Sequence, residues 1–185
     1  MSPMTPMPLA ALPPHTGVER VLEPLTAGDL HDLCDATEGA INSGGGFGWL
    51  AVPPIEVLER FWQGVVTMPA RTLLVARLDG VVCGSAQVVL PPPNNEAQAH
   101  SAQIVTHFVA PWARGRGLAH ALLDEAETVA REAGACVLTL SIRATQGEAI
   151  RLYESLGFTR FGTNPAHARV DGALVPGHHY YKMLD

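Results

Sequence analysis

Polar and apolar residues repeat with two different periods along this chain, and each change of period marks an element. From residue 118 the apolar positions are Leu118, Leu122, Ala126, Val129 and Ala133, with His120, Asp124, Glu127 and Arg131 on the opposite side. That spacing predicts a helix with one face on a sheet and one in water, stopped by Gly134. A second helical stripe, Ile55, Leu58, Phe61, Trp62 and Val65, follows Pro53 and Pro54 and predicts a helix over 55–66. Thr26 and Asp29 can open a helix that runs to about Glu38. Residues 71–78 and 81–90 are β-rich runs joined by Asp79-Gly80, a strong two-residue hairpin signal, and they predict an antiparallel pair. Residues 135–143 are a continuous apolar run that suits a strand buried on both faces. Short strands are expected at 20–25, 158–162 and 178–184, with a turn-rich insert between the last two. Thr145 and Glu148 have the spacing of a capping box for a helix to about Leu156, which gives Glu148 a structural task.

The stretch from 102 to 133 organises the rest. An apolar run ends at Pro111, passes through Arg114, Gly115, Arg116, Gly117, Leu118 and Ala119, and becomes the first helix described above. No Ser, Thr, Asp or Asn caps that helix, so its first backbone N–H groups lack a side-chain acceptor. Two glycines allow close approach, the helix dipole favours an anion, and two arginines add positive charge. The pattern reads as a phosphate or pyrophosphate seat, with an ordinary Gly-rich turn between strand and helix as the alternative. With the strand at 135–143, this stretch forms one βαβ unit.

Composition narrows the partners. The 185 residues, 47% of them hydrophobic, suffice for one core. Prolines 3, 6, 8, 13 and 14 set residues 1–18 apart as a disordered tail, leaving 19–185 as a single domain. With 12 basic against 18 acidic residues, the net charge of −6 argues against nucleic acid and anionic membranes as partners, so any anion site must be local. Lys182 is the only lysine, which excludes a nucleotide-triphosphate loop ending in Gly-Lys-Ser/Thr, and the dinucleotide fingerprint fails for want of its third small residue. Cys34, Cys83 and Cys136 have no metal or disulfide spacing and read as reduced thiols. No signal peptide and no run of ~18 apolar residues is present, so the expected location is cytoplasmic. Between 41 and 50, Phe47 and Trp49 stand among four glycines and either line a substrate pocket or staple the loop to the core.

The element order, with an anion seat in mid-sheet, resembles the GNAT superfamily of acyl-CoA N-acyltransferases. The matching motifs are Arg114-x-x-Gly117-x-Ala119 and the run from Ala149 through Leu152, Tyr153, Glu154 and Gly157 to Phe158. The resemblance covers about residues 20–184. Within the superfamily the chain looks most like the tabtoxin-resistance acetyltransferases, through residues 113–127, 159–162 and 174–184. It implies an α/β (α+β) fold whose mixed, mostly antiparallel twisted sheet has a central splayed βαβ unit and helices on both faces. It also implies acetyl-CoA as co-substrate, with its pyrophosphate on the N–H groups of Arg114, Gly115, Arg116, Gly117, Leu118 and Ala119. The pantetheine would pair with the backbone near Phe108 and Val109 like an added strand. The chain departs from the family pattern at Gln146, where Asn is frequent and helps hold the cofactor.

The implied reaction is direct acetyl transfer to an amine of a small molecule, an amino-acid-like antibiotic being one such acceptor. Protein acetylation or a non-catalytic acyl-CoA module are the alternatives. No metal is expected, and a homodimer is an admissible assembly. Acyl transfer needs a neutral nucleophile, a polarised carbonyl and a proton for the leaving thiolate. By its motif position Tyr153 is the general acid, because a phenol at pKa ~10 stays protonated at neutral pH; a packed core tyrosine is the other reading. The N–H of Val109 would polarise the carbonyl. His107 lies two residues before Val109, on the same strand face, with a reference pKa of ~6.5 that suits a base. A hydrogen-bonded core histidine is its alternative, and His178, His179 or a water chain are other routes for the proton. His179, Phe47 and Trp49 are the candidate acceptor contacts.

Overall fold

The computed structural model describes residues 13–45 and 47–184. Its element order is β1 (Thr16–Arg20), α1 (Ala27–Asn42), α2 (Ile55–Val66), β2 (Arg71–Leu78), β3 (Val81–Val89), β4 (Ser101–Val109), α3 (Leu118–Glu132), β5 (Val137–Arg143), α4 (Gly147–Ser155), β6 (Thr159–Val170) and β7 (Ala173–Met183). The seven strands form one mixed sheet in the order β1-β2-β3-β4-β5-β7-β6. Every pairing is antiparallel except β4 with β5.

That exception positions everything that follows. β4 and β5 pair only at Ser101↔Val137, Ala102↔Leu138 and Gln103↔Thr139, near the starts of both strands. Beyond those pairs the strands part, and a gap opens in mid-sheet. Helices cover both faces: Leu33, Ala40, Leu58 and Trp62 of α1 and α2 pack on one, while Leu118, Leu122 and Ala126 of α3 and Tyr153 of α4 pack on the other. Across this second face Glu127, only 8% exposed, takes an ion pair from Lys182 of β7 and another from Arg131 at 3.3 Å. Burying that carboxylate would be costly without its cationic partners. Arg20 of β1 is tied to Glu125 at 2.5 Å and to Glu132, both on α3.

Several elements differ from the sequence expectation, each for a local reason. The first strand is Thr16–Arg20 rather than 20–25, because Val18 is the residue that meets the core while Leu22 is 82% exposed. Its start places residues 16–18 in the sheet; residues 1–12 of the expected tail lie outside the described residues. α1 is capped by Thr26, whose hydroxyl accepts from the Asp29 N–H at 3.1 Å, and it continues past Glu38 because Ala40 and Ile41 extend its buried face. The capping box does not form. A turn closed by the Gln146 N–H on the Arg143 carbonyl, at 3.0 Å, holds Thr145, so α4 starts at Gly147 with Gln146 as its cap residue.

The turn-rich insert is instead a long hairpin of β6 and β7. Asp171 and Gly172, with φ of 48° and 81°, make the same left-handed two-residue turn as Asp79 and Gly80, at 50° and 87°. Pro165 is accommodated in a register shift between Asn164 and Ala168. Pro176 lies opposite that bulge, where no ladder N–H is required of it. Cys34 and Cys83 are buried, which pushes each thiol up to about 11, whereas Cys136 is exposed just ahead of β5.

Candidate active site

The site begins with one extra residue in β4. Ser85 pairs with Phe108 and Gln87 with Val105, so Ala86 alone of β3 faces two residues of β4, Thr106 and His107, and the bulge falls at Thr106. Thr106 has φ of 52°, a left-handed backbone that a β-branched residue adopts only at a cost, and its carbonyl accepts from the buried Ser85 hydroxyl at 3.0 Å. Ala102 and Ile104 point to the α3 face; past the bulge the phase slips by one, so Val109 points there again and Phe108 to the α1/α2 face. The slip also aims His107 at the helices of the α3 face.

There His107 joins two elements. Its Nε2 lies 3.0 Å from the Ala119 carbonyl in the first turn of α3, and its Nδ1 lies 2.9 Å from the Tyr153 hydroxyl on α4. A carbonyl only accepts, so Nε2 carries the proton, Nδ1 is the acceptor, and the phenol donates to it. Burial lowers the His107 pKa to about 4 from 6.5, against a smaller opposing effect of the Ala119 carbonyl, so the ring is neutral near pH 7. Tyr153 is 5% exposed, and burial pushes its phenol well above the usual value.

On the α3 side of the gap, the helix starts as its sequence implies. Gly117 is the cap residue with φ of 75°, Gly115 has the same φ, and no side chain caps the first N–H groups. These left-handed glycines wrap the turn around a cavity of about 770 Å³ that reaches from Arg114 and Gly117 through His107 to Gln146 and Leu152. Uncapped N–H groups, positive-φ glycines and a cavity opening into a split sheet fit a phosphate-bearing carrier with an extended arm.

A strap crosses the gap. The chain after α1 is held on the β4 side by Arg114, which donates to the Ser43 hydroxyl at 3.0 Å and to the Val109 carbonyl at 3.1 Å. On the β5 side Gln146 Nε2 donates to the Gly44 carbonyl at 2.6 Å and Arg143 to the Gly45 carbonyl at 2.5 Å. The strap leads into Phe47, which borders a second cavity of about 550 Å³ together with Val105, Ser141, His167 and Arg169. His107, Arg143, Gln146 and Ala149 border both cavities, so the two are neighbours.

The structure therefore brings together His107, Phe108, Val109, Arg114, Gly115, Gly117, Leu118, Ala119 and Gln146 around the first cavity, and sets Tyr153 at the second. Phe47 does two jobs, lining the second cavity while packing edge-on against Phe108 at 4.8 Å. Three of the expected residues border neither cavity. Arg116 is an exposed turn residue, so what it can offer the anion seat is its backbone N–H. Trp49 is a staple, set edge-on to Phe61 at 5.1 Å in the α1/α2 core. His179 packs against Phe161 and His167 on the hairpin and borders neither cavity, although its neighbour His167 borders the second. Ser43, Arg143 and Arg169 were not anticipated. The Asp171-Gly172 turn, read as a hairpin, would have carried Arg169 toward the site.

A sheet split between parallel strands, with an anion seat on one bank and a buried phenol on the other, is the architecture of an acyl-CoA-dependent transferase. The model of the acetyltransferase (GNAT) family matches residues 41–158, more than half the chain, and the protein belongs to that family as an acetyl-CoA-dependent N-acetyltransferase. It is 57% identical over 129 residues to an uncharacterised N-acetyltransferase from the hisH-hisA intergenic region of Azospirillum brasilense, covering 70% of this chain and 76% of that one. Its fold is shared by yncA of Salmonella typhimurium, an acetyltransferase solved with its cofactor acetyl-CoA, at 19% identity and a TM-score of 0.74 over 92% and 94% of the two chains. The ribosomal-protein-alanine N-acetyltransferase of Brucella melitensis is similar at 26% identity and a TM-score of 0.75, over 90% and 99%. No helix among the described residues is long and apolar enough to cross a membrane.

Proposed function

We propose that the protein moves the acetyl group of acetyl-CoA directly to the amine of a small molecule, with Tyr153 as general acid and His107 as the residue that positions it. The observation that carries this reading is the buried Tyr153 hydroxyl at the second cavity, 2.9 Å from Nδ1 of His107, which borders both cavities. Acetyl-CoA, when bound, supplies the activated acyl group. The N–H groups of residues 115–119, with Arg114 beside them, would seat its pyrophosphate, and the backbone of Phe108 and Val109 would flank its arm. Tyr153 Oη carries a proton throughout the neutral range, which is what a departing thiolate requires.

His107 serves better as a positioning residue than as the base. Both of its nitrogens are engaged within the protein, and a group that protonates only near about 4 is a weak proton acceptor at neutral pH. Its link to Ala119 fixes the tautomer, and its lone pair on Nδ1 fixes the phenol. Gln146 bonds the strap, so its part in holding the carrier is shared with shaping the gap.

The second cavity, about 550 Å³ between the 47–50 loop and the β6–β7 hairpin, has the dimensions of a small-molecule site. The resemblance of residues 113–127, 159–162 and 174–184 to the tabtoxin-resistance acetyltransferases supports the same choice. The likeness to a ribosomal-protein-alanine N-acetyltransferase favours a protein N-terminus as the second reading. Incubation with acetyl-CoA and separate panels of small amines and peptides, followed by thiol release, distinguishes them. Turnover confined to peptides would overturn the small-molecule reading.

A further inference from the structure

The second cavity carries charge of one sign. Arg143 and Arg169 border it with His167, and no Asp or Glu does so among the described residues, although the chain holds 18 acids against 12 basic residues. Among the described residues three arginines meet carboxylates: Arg20 binds Glu125 and Glu132, Arg77 binds Glu19 and Asp29, and Arg131 binds Glu127. Arg143 instead donates to the Gly45 carbonyl at 2.5 Å and Arg169 to the Gly172 carbonyl at 3.1 Å. Each contact orients a planar guanidinium while leaving most of its five N–H donors unused. Neither forms an ion pair among the described residues.

Arg169 is also held at its base. His167, two residues earlier, lies so close over Gly177 that a Cβ there would come within 2.1 Å of the imidazole ring. The missing side chain lets β6 bend inward at its bulge, and the Asp171-Gly172 turn closes the hairpin just beyond. The two strands thereby deliver Arg169 to the cavity mouth from the side opposite Phe47.

We propose that the acceptor amine carries an anionic group, a carboxylate or a phosphorus oxyanion, which Arg169 and Arg143 read in the second cavity. The inference rests on the acetyl-transfer reading and extends it to a substrate class. An oriented guanidinium matches such groups with paired, charge-assisted hydrogen bonds. The same charges act on the amine. Fixed cations disfavour an ammonium ion nearby and lower its pKa, so the amine sheds its proton to water and reaches the thioester neutral. The new C–N bond forms as the C–S bond breaks, the nitrogen's remaining extra proton goes to water, Tyr153 Oη protonates the sulfur, and the phenolate regains its proton from water. This accounts for a site in which His107 is already committed at both nitrogens.

Arg143 also borders the carrier cavity, so Arg169 is the discriminating position. The test uses L-amino acids, the same compounds as C-terminal amides, and the matching 1-aminophosphonates, with thiol release as the readout. The acids or the phosphonates should be preferred to the amides, and whichever is better names the oxyanion. In Arg169→Gln the KM of the preferred anion should rise about 10- to 100-fold, the range for losing charge-assisted hydrogen bonds, and the ratio of anion to amide kcat/KM should fall toward one. Arg169→Lys should restore part of the difference. Because Arg169 is exposed, the variant should fold, and its melting temperature with and without acetyl-CoA verifies that. Amides used as well as the anions, or equal weakening of every series, would overturn this inference and leave acetyl transfer standing. Thiol release from peptides alone would overturn the small-molecule reading together with it.

Discussion

Among the described residues the Tyr153 hydroxyl has one partner, His107 Nδ1, and a single oxygen separates its roles in chemistry and packing. Tyr153→Phe keeps the ring contacts with Phe158 and Tyr180 and removes only that oxygen. Steady-state kinetics should show kcat reduced by roughly 10²-fold, within the usual range for a general acid, with acetyl-CoA binding preserved. Turnover within about threefold of wild type would make Tyr153 a packing residue. His107 has a separate signature in stability. In the unfolded chain it takes a proton below about 6.5, but in the folded protein only near about 4, so between those values the unfolded state binds more protons. Stability should therefore be level above pH 6.5 and fall as pH drops toward 4. Denaturant midpoints across that window should lack this component in His107→Gln, and an unchanged pH slope would exclude it. Tyr153 was legible from its motif. That His107 shares a face with Val109 was legible from alternation, but its partner on α4 was not, because side chains 46 residues apart meet only through the fold.

Among the elements, the start of α3 was the most readable, since a missing cap and two glycines are facts of sequence that become facts of backbone. An added Cβ at Gly117 would meet nothing within 4 Å, so space is not what restricts this position. The left-handed φ of 75° restricts it instead. Gly117→Glu should strain the turn by about 1–2 kcal/mol and bring a like charge to the phosphates. Calorimetry should show acetyl-CoA affinity reduced by more than about tenfold, since the added carboxylate repels the phosphates at the helix N-terminus and a turn relaxed from its left-handed shape must be restored on binding; undiminished affinity would mean the carrier is seated elsewhere. The hairpin of β6 and β7 was hidden by Pro165 and Pro176, which ordinarily argue against paired strands. A bulge absorbs the first, and the second faces it. The start of α4 slipped by one residue because a backbone turn at Arg143–Gln146 outcompeted a side-chain cap at Thr145.

At the scale of the whole molecule, the two halves of the sheet meet through three parallel residue pairs, the β4-to-β5 gap being spanned elsewhere by side chains such as Arg143, Gln146 and His107. A ligand that binds both banks adds to those ties and stabilises the native state by mass action. Acetyl-CoA at 100 times its Kd should stabilise by about 2.7 kcal/mol, a rise in Tm of about 5–10 °C for a domain of this size, whereas ATP and NAD should not. A response to ATP or NAD with none to acetyl-CoA would contradict the seat described for the carrier. The order of elements and the central βαβ unit could be read from periodicity and turn residues. How far β4 and β5 stay paired could not, since both strands carry ordinary apolar patterns beyond Gln103 and Thr139, and only their divergence makes a binding gap.

The bulge at Thr106 stores information that no side chain carries. Thr106 is one residue in excess of the ladder, since without it Ala86 would stand opposite His107 between the Val105 and Phe108 pairs. A scan that replaces one residue at a time would leave that excess untouched and pass over the feature, whereas loss of the Thr106 codon would restore a regular ladder, keep His107 on the α3 side and remove the left-handed residue whose carbonyl the Ser85 hydroxyl holds. The bend beside the site is thus written in the length of the strand, and no side chain spells it.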